Sequence, residues 1–308
     1  MADRLLIERA TCGLQDDVAE TGARLRRWLS ARAAVPAGAP WHRLAGGRSN
    51  LVWRVGTGPG AVVCKLIRPG AASPLFRNDP AIEFAMMRHL SPVGLAPVPL
   101  GLHDTPEGPC LTWRHLPGRP WRLTEAVAAG LLRTIHVKPS PPGGLHRAAC
   151  TAKALRAEGE AMLADLPAAA ESRLRGAAPR ADVPIPPRIA LRAPMLLHGD
   201  PVAANLIVGP RGAAAIDWQC PALGDPVTDL SLFLSPGMWA VYGPPGARPP
   251  DPARTLRAYG DPATHARFAV LRPILHWRMA VHCSWRAERG DPGFARAARR
   301  ELAALARL

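Results

Sequence analysis

Residues 195–229 read MLLHGDPVAANLIVGPRGAAAIDWQCPALGDPVTD, and the placing of the polar residues in this stretch decides the fold. Asp200 and Asn205 stand five positions apart. Leu206, Ile207 and Val208 then form a short apolar run, 209–212 is rich in Gly and Pro, and 213–216 is a second apolar run ending at Asp217. Two short apolar runs around such a turn predict a β-hairpin. Its outer ends would hold Asn205 and Asp217 side by side, with Asp200 close behind. Two adjacent oxygen ligands beside a separate carboxylate suit a Mg²⁺–phosphate site with a base.

Upstream, a loop containing Gly46, Gly47, Ser49 and Asn50 leads into β-type runs at 51–55 and 61–67, joined by a Gly/Pro turn at 56–60. Lys65 lies inside the second run and shares a face with Val63 and Ile67 by strand alternation. It is one of three lysines in a chain that otherwise uses arginine, with Lys138 and Lys153 the others. An ammonium in such a run either snorkels at an edge or has a dedicated anionic partner. A helix follows, with Asp79 as N-cap, Pro80 as its first residue and Ile82, Met86 and Leu90 as its apolar stripe. Glu83 sits in its first turn, where an acid also suits the helix dipole.

Further out, Val18, Leu25, Trp28 and Leu29 mark a helix over 14–34 that ends at 36–40. Residues 92–102 are punctuated by Pro and Gly, 109–113 reads as a strand, and 115–120 as a crossing segment. Thr124 can cap a helix with Val127, Leu131 and Ile135 on one face. Helix is expected through 151–176, a Pro-rich connection at 179–188, and mostly helix after Asp229, broken by a loop at 243–252. The last helix, 293–308, places Phe294, Ala298, Leu302 and Leu305 on one face. This is an α+β chain, not a series of βαβ units. A β-rich N-terminal lobe (1–116) precedes a larger, mostly helical lobe (117–308) that carries the polar hairpin.

The 308 residues, 48% hydrophobic, suffice for a substantial core. No run of eighteen apolar residues predicts a membrane span. The opening MADRLLIERATCGLQDD carries acids and no long apolar region, so no secretory signal is expected. Six scattered cysteines (12, 64, 110, 150, 220 and 283) without a CxxC pair argue against zinc and a disulfide framework, and fit a reducing cytoplasm. The net charge is +15, but the basic residues are spread along the chain without a compact block. That pattern fits genomic residue bias better than nucleic-acid binding.

These parts occur in the order that Mg-ATP phosphoryl transfer needs: a phosphate loop, a cation for the α/β-phosphates (Lys65), a carboxylate to orient it (Glu83), a base (Asp200) and two metal ligands (Asn205, Asp217). Each is weak alone. Together, His198-Gly199-Asp200-Pro201 followed by Asn205, then Ile216-Asp217-Trp218, then Gly224-Asp225-Pro226 with Asp229-Leu230, resemble the aminoglycoside phosphotransferase/choline kinase family. Gly46-Gly47-Arg48-Ser49-Asn50 resembles the nucleotide loop of its choline and thiamine kinase-like members, and Leu132-Arg133-Thr134-Ile135-His136 their LxxLH helix end. The resemblance spans about 40–235 and implies a protein-kinase-like two-lobe fold, with ATP and Mg²⁺ as cofactors. It implies Asp200 as catalytic base, Asn205 and Asp217 as Mg²⁺ ligands, Lys65 on the α/β-phosphates with Glu83 as partner, and Ser49 and Asn50 in the phosphate loop. His198 would support the catalytic loop, and Asp225 and Asp229 would tie the later segment to it.

The acceptor implied is a small-molecule alcohol. A choline-like acceptor wants an aromatic cage. Trp218, Trp239, Tyr242, Trp277 and Trp285 are the candidates, the last two eight apart and so on roughly one helix face. The charge of +15 opposes a polycationic aminoglycoside, so choline, ethanolamine or thiamine-like alcohols rank above it, with an amino sugar open. The competing readings are a nucleotide-binding pseudokinase, an atypical protein kinase and a nucleic-acid binder. Against the protein kinase, no Ala-Pro-Glu segment follows and only seven positions lead from Asp217 to Gly224. Oligomeric state is not legible in the sequence.

Overall fold

Alternation in the first strands creates a sheet with one face for a helix. In the computed structural model, which describes residues 18–44, 49–120, 124–141, 144–244, 246 and 248–308, helix α1 covers 18–31. It precedes β1 (Trp41–Arg43), β2 (Leu51–Val55) and β3 (Val62–Leu66), and these join β4 (Pro99–Thr105) and β5 (Gly108–Arg114) in an antiparallel sheet of order β1-β2-β3-β5-β4. Leu51, Trp53 and Val55 of β2 and Val62, Cys64 and Leu66 of β3 form one buried cluster with Leu25 and Leu29 of α1. Lys65 therefore lies on the opposite face of β3, paired in register with Val52 and Leu111.

The expected elements 51–55 and 61–67 are thus present, and 109–113 lies within β5. Strand β4 occupies part of a segment expected to be loop. Pro99 and Gly101 weaken the strand signal there, yet β4 is an edge strand with a register shift at those residues. An edge tolerates a proline because one row of its N–H groups needs no partner.

The chain divides into two compact units, Met1–Ala71 with Val98–His115, and Ala72–Pro97 with Leu116–Leu308. The sequence expectation drew one boundary at 116/117. The excursion between β3 and β4, with helix α2 (Pro80–Leu90), groups with the second unit. Asp79 caps α2 as expected, accepting from the N–H groups of Ala81 (2.9 Å) and Ile82 (3.1 Å), with Pro80 at the first position.

In the second unit β6 (Arg119–Pro120), β8 (Leu206–Gly209) and β9 (Gly212–Ala215) form a three-stranded sheet, and β7 (Met195–Leu197) pairs with β10 (Ala222–Gly224). The helices are α3 (Glu125–His136), α4 (Ala152–Leu163), α5 (Ala168–Gly176), α6 (Val227–Phe233), α7 (Pro236–Tyr242), α8 (Pro252–Tyr259), α9 (Pro262–Ala287) and α10 (Gly293–Leu305). The helix expected over 151–176 is two helices. Pro167 lacks an N–H and disfavours helical backbone at the residue before it, so the chain breaks between α4 and α5. Long α9 packs against α4, α6 and α10, with Met279 and Cys283 in a cluster that includes Phe294 and Leu232. Among the described residues no helix is long and apolar enough to cross a membrane. Gly46, Gly47, Cys12 and the start of the 14–34 helix lie outside the described residues.

Candidate active site

Strand β7 ends at Leu197 and delivers His198, Gly199 and Asp200 in succession. Gly199 has φ +82°, and a Cβ there would sit 1.8 Å from the carbonyl oxygen of Cys220. Only glycine fits both the backbone angle and the approach. Asp229, in the first turn of α6, fixes this bend: its carboxylate accepts the N–H of His198 at 2.8 Å and of Gly199 at 3.0 Å. Asp229 also faces His136, whose Nε2 lies 3.1 Å away, while Nδ1 of the same ring lies 2.8 Å from the hydroxyl of Tyr259. Burial pushes the Tyr259 phenol above its ordinary range, so its O–H stays protonated beside Nδ1. The ends of α3 and α8 and the start of α6 thereby meet beneath one loop.

The His198 ring is fully buried and packs on Trp218, with centroids 4.4 Å apart. Its Nε2–H donates to the carbonyl of Ile216 at 3.0 Å, and its Nδ1 accepts the N–H of Asp200 at 3.2 Å. Both contacts require the neutral ring. Burial lowers the His198 pKa from its ordinary value, outweighing the opposing pull of Asp229. His198 is thus a neutral brace between the residue before Asp217 and Asp200.

The expected hairpin is present. Leu206 pairs with Ala215 and Gly209 with Gly212, and the N–H of Ile216 donates to the carbonyl of Asn205 at 2.9 Å. Asn205 and Asp217 thus leave the same end of β8 and β9. Asn205 turns its Nδ2 to the carbonyl oxygen of Asp200 at 2.9 Å, and to its Oδ2 at 3.4 Å. With the amide nitrogen committed to Asp200, Oδ1 is the atom of Asn205 left to act as a hard ligand. Asp217 has φ +66°, one of two non-glycine residues in the left-handed region among those described. Left-handed backbone at a non-glycine residue is costly and concentrates at functional sites. A carboxylate and an amide oxygen suit Mg²⁺, which takes few protein ligands and keeps its waters. Asp200 itself is half-buried.

Asp225 is held elsewhere. Arg267 of α9 grips it with Nε at 2.7 Å and Nη2 at 3.0 Å, and both side chains are buried. Sequence reasoning placed Asp225 and Asp229 as ties to the catalytic loop; Asp229 is one, whereas Asp225 ties its segment to α9 through Arg267. That reasoning missed Arg267 and Tyr259, which stand far along the chain from their partners and carry no local signal; His136 was visible only as a helix end.

The other residues singled out lie on other elements. Glu83 is buried in the first turn of α2, in the second unit; Lys65 is buried on β3 in the first. Asn50 is buried and its Oδ1 accepts the N–H of Arg68 at 3.1 Å, while Arg68 Nε donates to the carbonyl of Ser49 at 3.0 Å. These contacts pin the start of β2 to the residue beyond β3.

Three of the aromatic-cage candidates, Trp218, Trp277 and Trp285, are engaged within the fold. Trp218 is fully buried and its indole N–H donates to the carbonyl of Ala215. Trp277 is 0% exposed, packs on Gly159 of α4 and donates to the carbonyl of Leu174 at 2.7 Å. Trp285 donates to Asp165 at 2.9 Å, and the guanidinium of Arg289 already lies over its ring at 3.8 Å. Eight-residue spacing does set Trp277 and Trp285 on a common side of α9, but that side packs toward α4 and the residues that follow it.

The model of the phosphotransferase enzyme family matches residues 40–271. No curated protein matches the chain. Among solved structures, choline kinase LicA from Streptococcus pneumoniae is 16% identical with a TM-score of 0.64, covering 94% of this chain and 100% of its own. A choline/ethanolamine kinase family protein from Mesorhizobium loti is 19% identical with a TM-score of 0.58, covering 91% and 98%. Amicoumacin kinase hAmiN, in complex with AMP-PNP, Ca²⁺ and Ami, is 14% identical with a TM-score of 0.58, covering 92% and 94%. These likenesses agree with the kinase-like fold, an antiparallel sheet followed by a helical region. With three-quarters of its length matched, the chain belongs to the phosphotransferase enzyme family and is a small-molecule phosphotransferase.

Proposed function

We propose that this enzyme transfers the γ-phosphate of ATP to the hydroxyl of a small molecule, with Mg²⁺ as the metal. The observation that carries the reading is Asn205: its Nδ2 is tied to Asp200, which leaves its Oδ1 as a ligand atom on a residue that shares one hairpin end with Asp217. Asp200 is the base that takes the acceptor's hydroxyl proton. Asn205 and Asp217 hold the metal, which neutralises phosphate charge when bound. Lys65 binds the α/β-phosphates, oriented by Glu83, and Ser49 and Asn50 shape the phosphate loop ahead of β2. The AMP-PNP and Ca²⁺ of the amicoumacin kinase complex support use of a nucleotide and a divalent cation here.

The described cysteines (64, 110, 150, 220 and 283) are free thiols, in keeping with a reducing, cytoplasmic setting. The choline kinases among the structural neighbours keep a choline-like alcohol among the acceptors to test, although Trp218, Trp277 and Trp285 are spent on packing. ADP release, followed over hydroxylated acceptors with Mg²⁺ present and absent, tests the reading. Asp200→Ala is expected to lower kcat by about 10²–10⁴. Wild-type-like turnover in that variant removes the base assignment, and acceptor-independent ADP release removes the transfer.

A further inference from the structure

The carboxylate that fixes the bend before Asp200 belongs to a longer buried chain of contacts. Oδ2 of Asp229 accepts the N–H of His198 at 2.8 Å and also faces Nε2 of His136 at 3.1 Å, while Oδ1 accepts the N–H of Gly199 at 3.0 Å. Nδ1 of His136 lies 2.8 Å from the hydroxyl of Tyr259. Asp229 is 0% exposed, His136 1% and Tyr259 4%, so water cannot stand in for a lost member.

A bare Nε2 would set a lone pair against a buried carboxylate, so Nε2 must carry hydrogen. The partner of the other ring nitrogen fixes how an imidazole is turned. Here that partner is the Tyr259 hydroxyl. It donates to Nδ1 when the ring is neutral and accepts from it when the ring is charged, so in both states Nε2–H stays on Asp229. With both nitrogens tied, the ring cannot turn without losing two bonds. Without the hydroxyl, Nδ1 is a buried polar atom with no partner, and a turn of the ring that relieves it draws Nε2 away from Asp229.

Tyr259 is itself set in place by α3. Arg133 and His136 stand three apart and so are neighbours on that helix. Arg133 Nη1 donates to the carbonyl of Tyr259 at 3.0 Å, and its guanidinium lies 5.5 Å from the centre of the Tyr259 ring. Gly260, with φ +74°, ends α8 directly after Tyr259. The hydroxyl is thus delivered by a helix end that α3 holds at both backbone and side chain.

The geometry points to Tyr259 as a positioning residue for phosphoryl transfer: its hydroxyl anchors His136, His136 orients Asp229, and Asp229 holds the bend that presents Asp200. The inference rests on the reading of Asp200 as the base.

Tyr259→Phe removes one oxygen and keeps the ring that packs on Arg133 and His136. ADP release by the full-length variant is measured at a temperature where circular dichroism shows it folded. There kcat is expected to fall about tenfold, with the KM for ATP and for the acceptor unchanged. Nitrogen NMR of the imidazoles is the second readout, and the His136 signals are expected to shift in Tyr259→Phe. In a His136→Gln background, Tyr259→Phe is expected to lower kcat no further, since the two residues act as one unit. The proposal is overturned by a kcat within about twofold of wild type, by unchanged His136 signals, or by an equal further loss in the His136→Gln background. The NMR readout needs no turnover, so it is separate from Asp200→Ala: wild-type-like turnover in that variant removes the base, while a shift of the His136 signals still reports the anchor.

Discussion

The carboxylate of Asp229 accepts the backbone N–H of His198 at 2.8 Å, so a helix start holds the loop that presents Asp200. Charge-assisted bonds of this kind are worth about twice neutral ones, and removing the charge also disturbs the contact to His136. Asp229→Asn places an amide N–H₂ where one acceptor oxygen stood. The expected cost is about 2–4 kcal/mol in chemical denaturation, with kcat reduced even at temperatures where the variant is folded. Unchanged stability would show that the loop keeps its bend without this tie.

Asp217 trades stability for its position. Its left-handed backbone suits glycine, so Asp217→Gly is expected to recover about 1 kcal/mol of unfolding free energy. The same change removes the proposed metal ligand and lowers kcat by at least about a hundredfold. Denaturation and ADP-release assays on one preparation check both signs. Loss of stability together with activity would place the carboxylate in the scaffold instead.

Trp277 is a packing residue. Trp277→Phe loses the bond to Leu174 and part of the ring that covers Gly159. The expected penalty is about 1–3 kcal/mol, with the KM for any accepted substrate unchanged. A selective rise in KM for a cationic acceptor would return Trp277 to substrate recognition.

His282 makes stability depend on acid. Its ring is buried among Phe76, Trp285 and Phe294, and burial, with Arg286 and Arg278 nearby, pushes its pKa from 6.5 down to about 3. As pH falls, the unfolded chain takes up this proton before the folded one. The stabilisation from a neutral His282 is therefore complete above the ordinary pKa of 6.5 and is lost progressively as pH falls toward about 3. The slope is about 1.4 kcal/mol per pH unit for one such group. His282→Phe removes the titration, so the stability of the variant relative to wild type rises as pH drops from 6.5 to 4. Parallel curves for the two proteins would count against the buried neutral ring.

How far the sequence could be read follows from how local each feature is. The hairpin bearing Asn205 and Asp217 and the Asp79-Pro80 helix start were legible, since each is written in neighbouring residues. The break at Pro167 was visible too, but the Ala, Leu, Arg and Glu around it argued for continuous helix. Strand β4 was hidden because Pro99 and Gly101 are acceptable only at an edge, and edge position belongs to the assembled sheet. The grip of Arg267 on Asp225 spans 42 positions, and nothing beside either residue announces the other. Trp277 shows the limit most sharply: periodicity gives its side of the helix, while Gly159, which makes room for it, lies on another one.

The pairing of β8 with β9 makes the distance along the chain between Asn205 and Asp217 adjustable while their neighbourhood is not. Residues added one per strand lengthen the hairpin outward and leave its inner end as it was. A single residue added to one strand turns its side chains over, since strand faces alternate. Length variation at the Pro210-Arg211 tip should therefore be accepted in matched pairs, and that tip is the natural place to attach a reporter without touching the inner end.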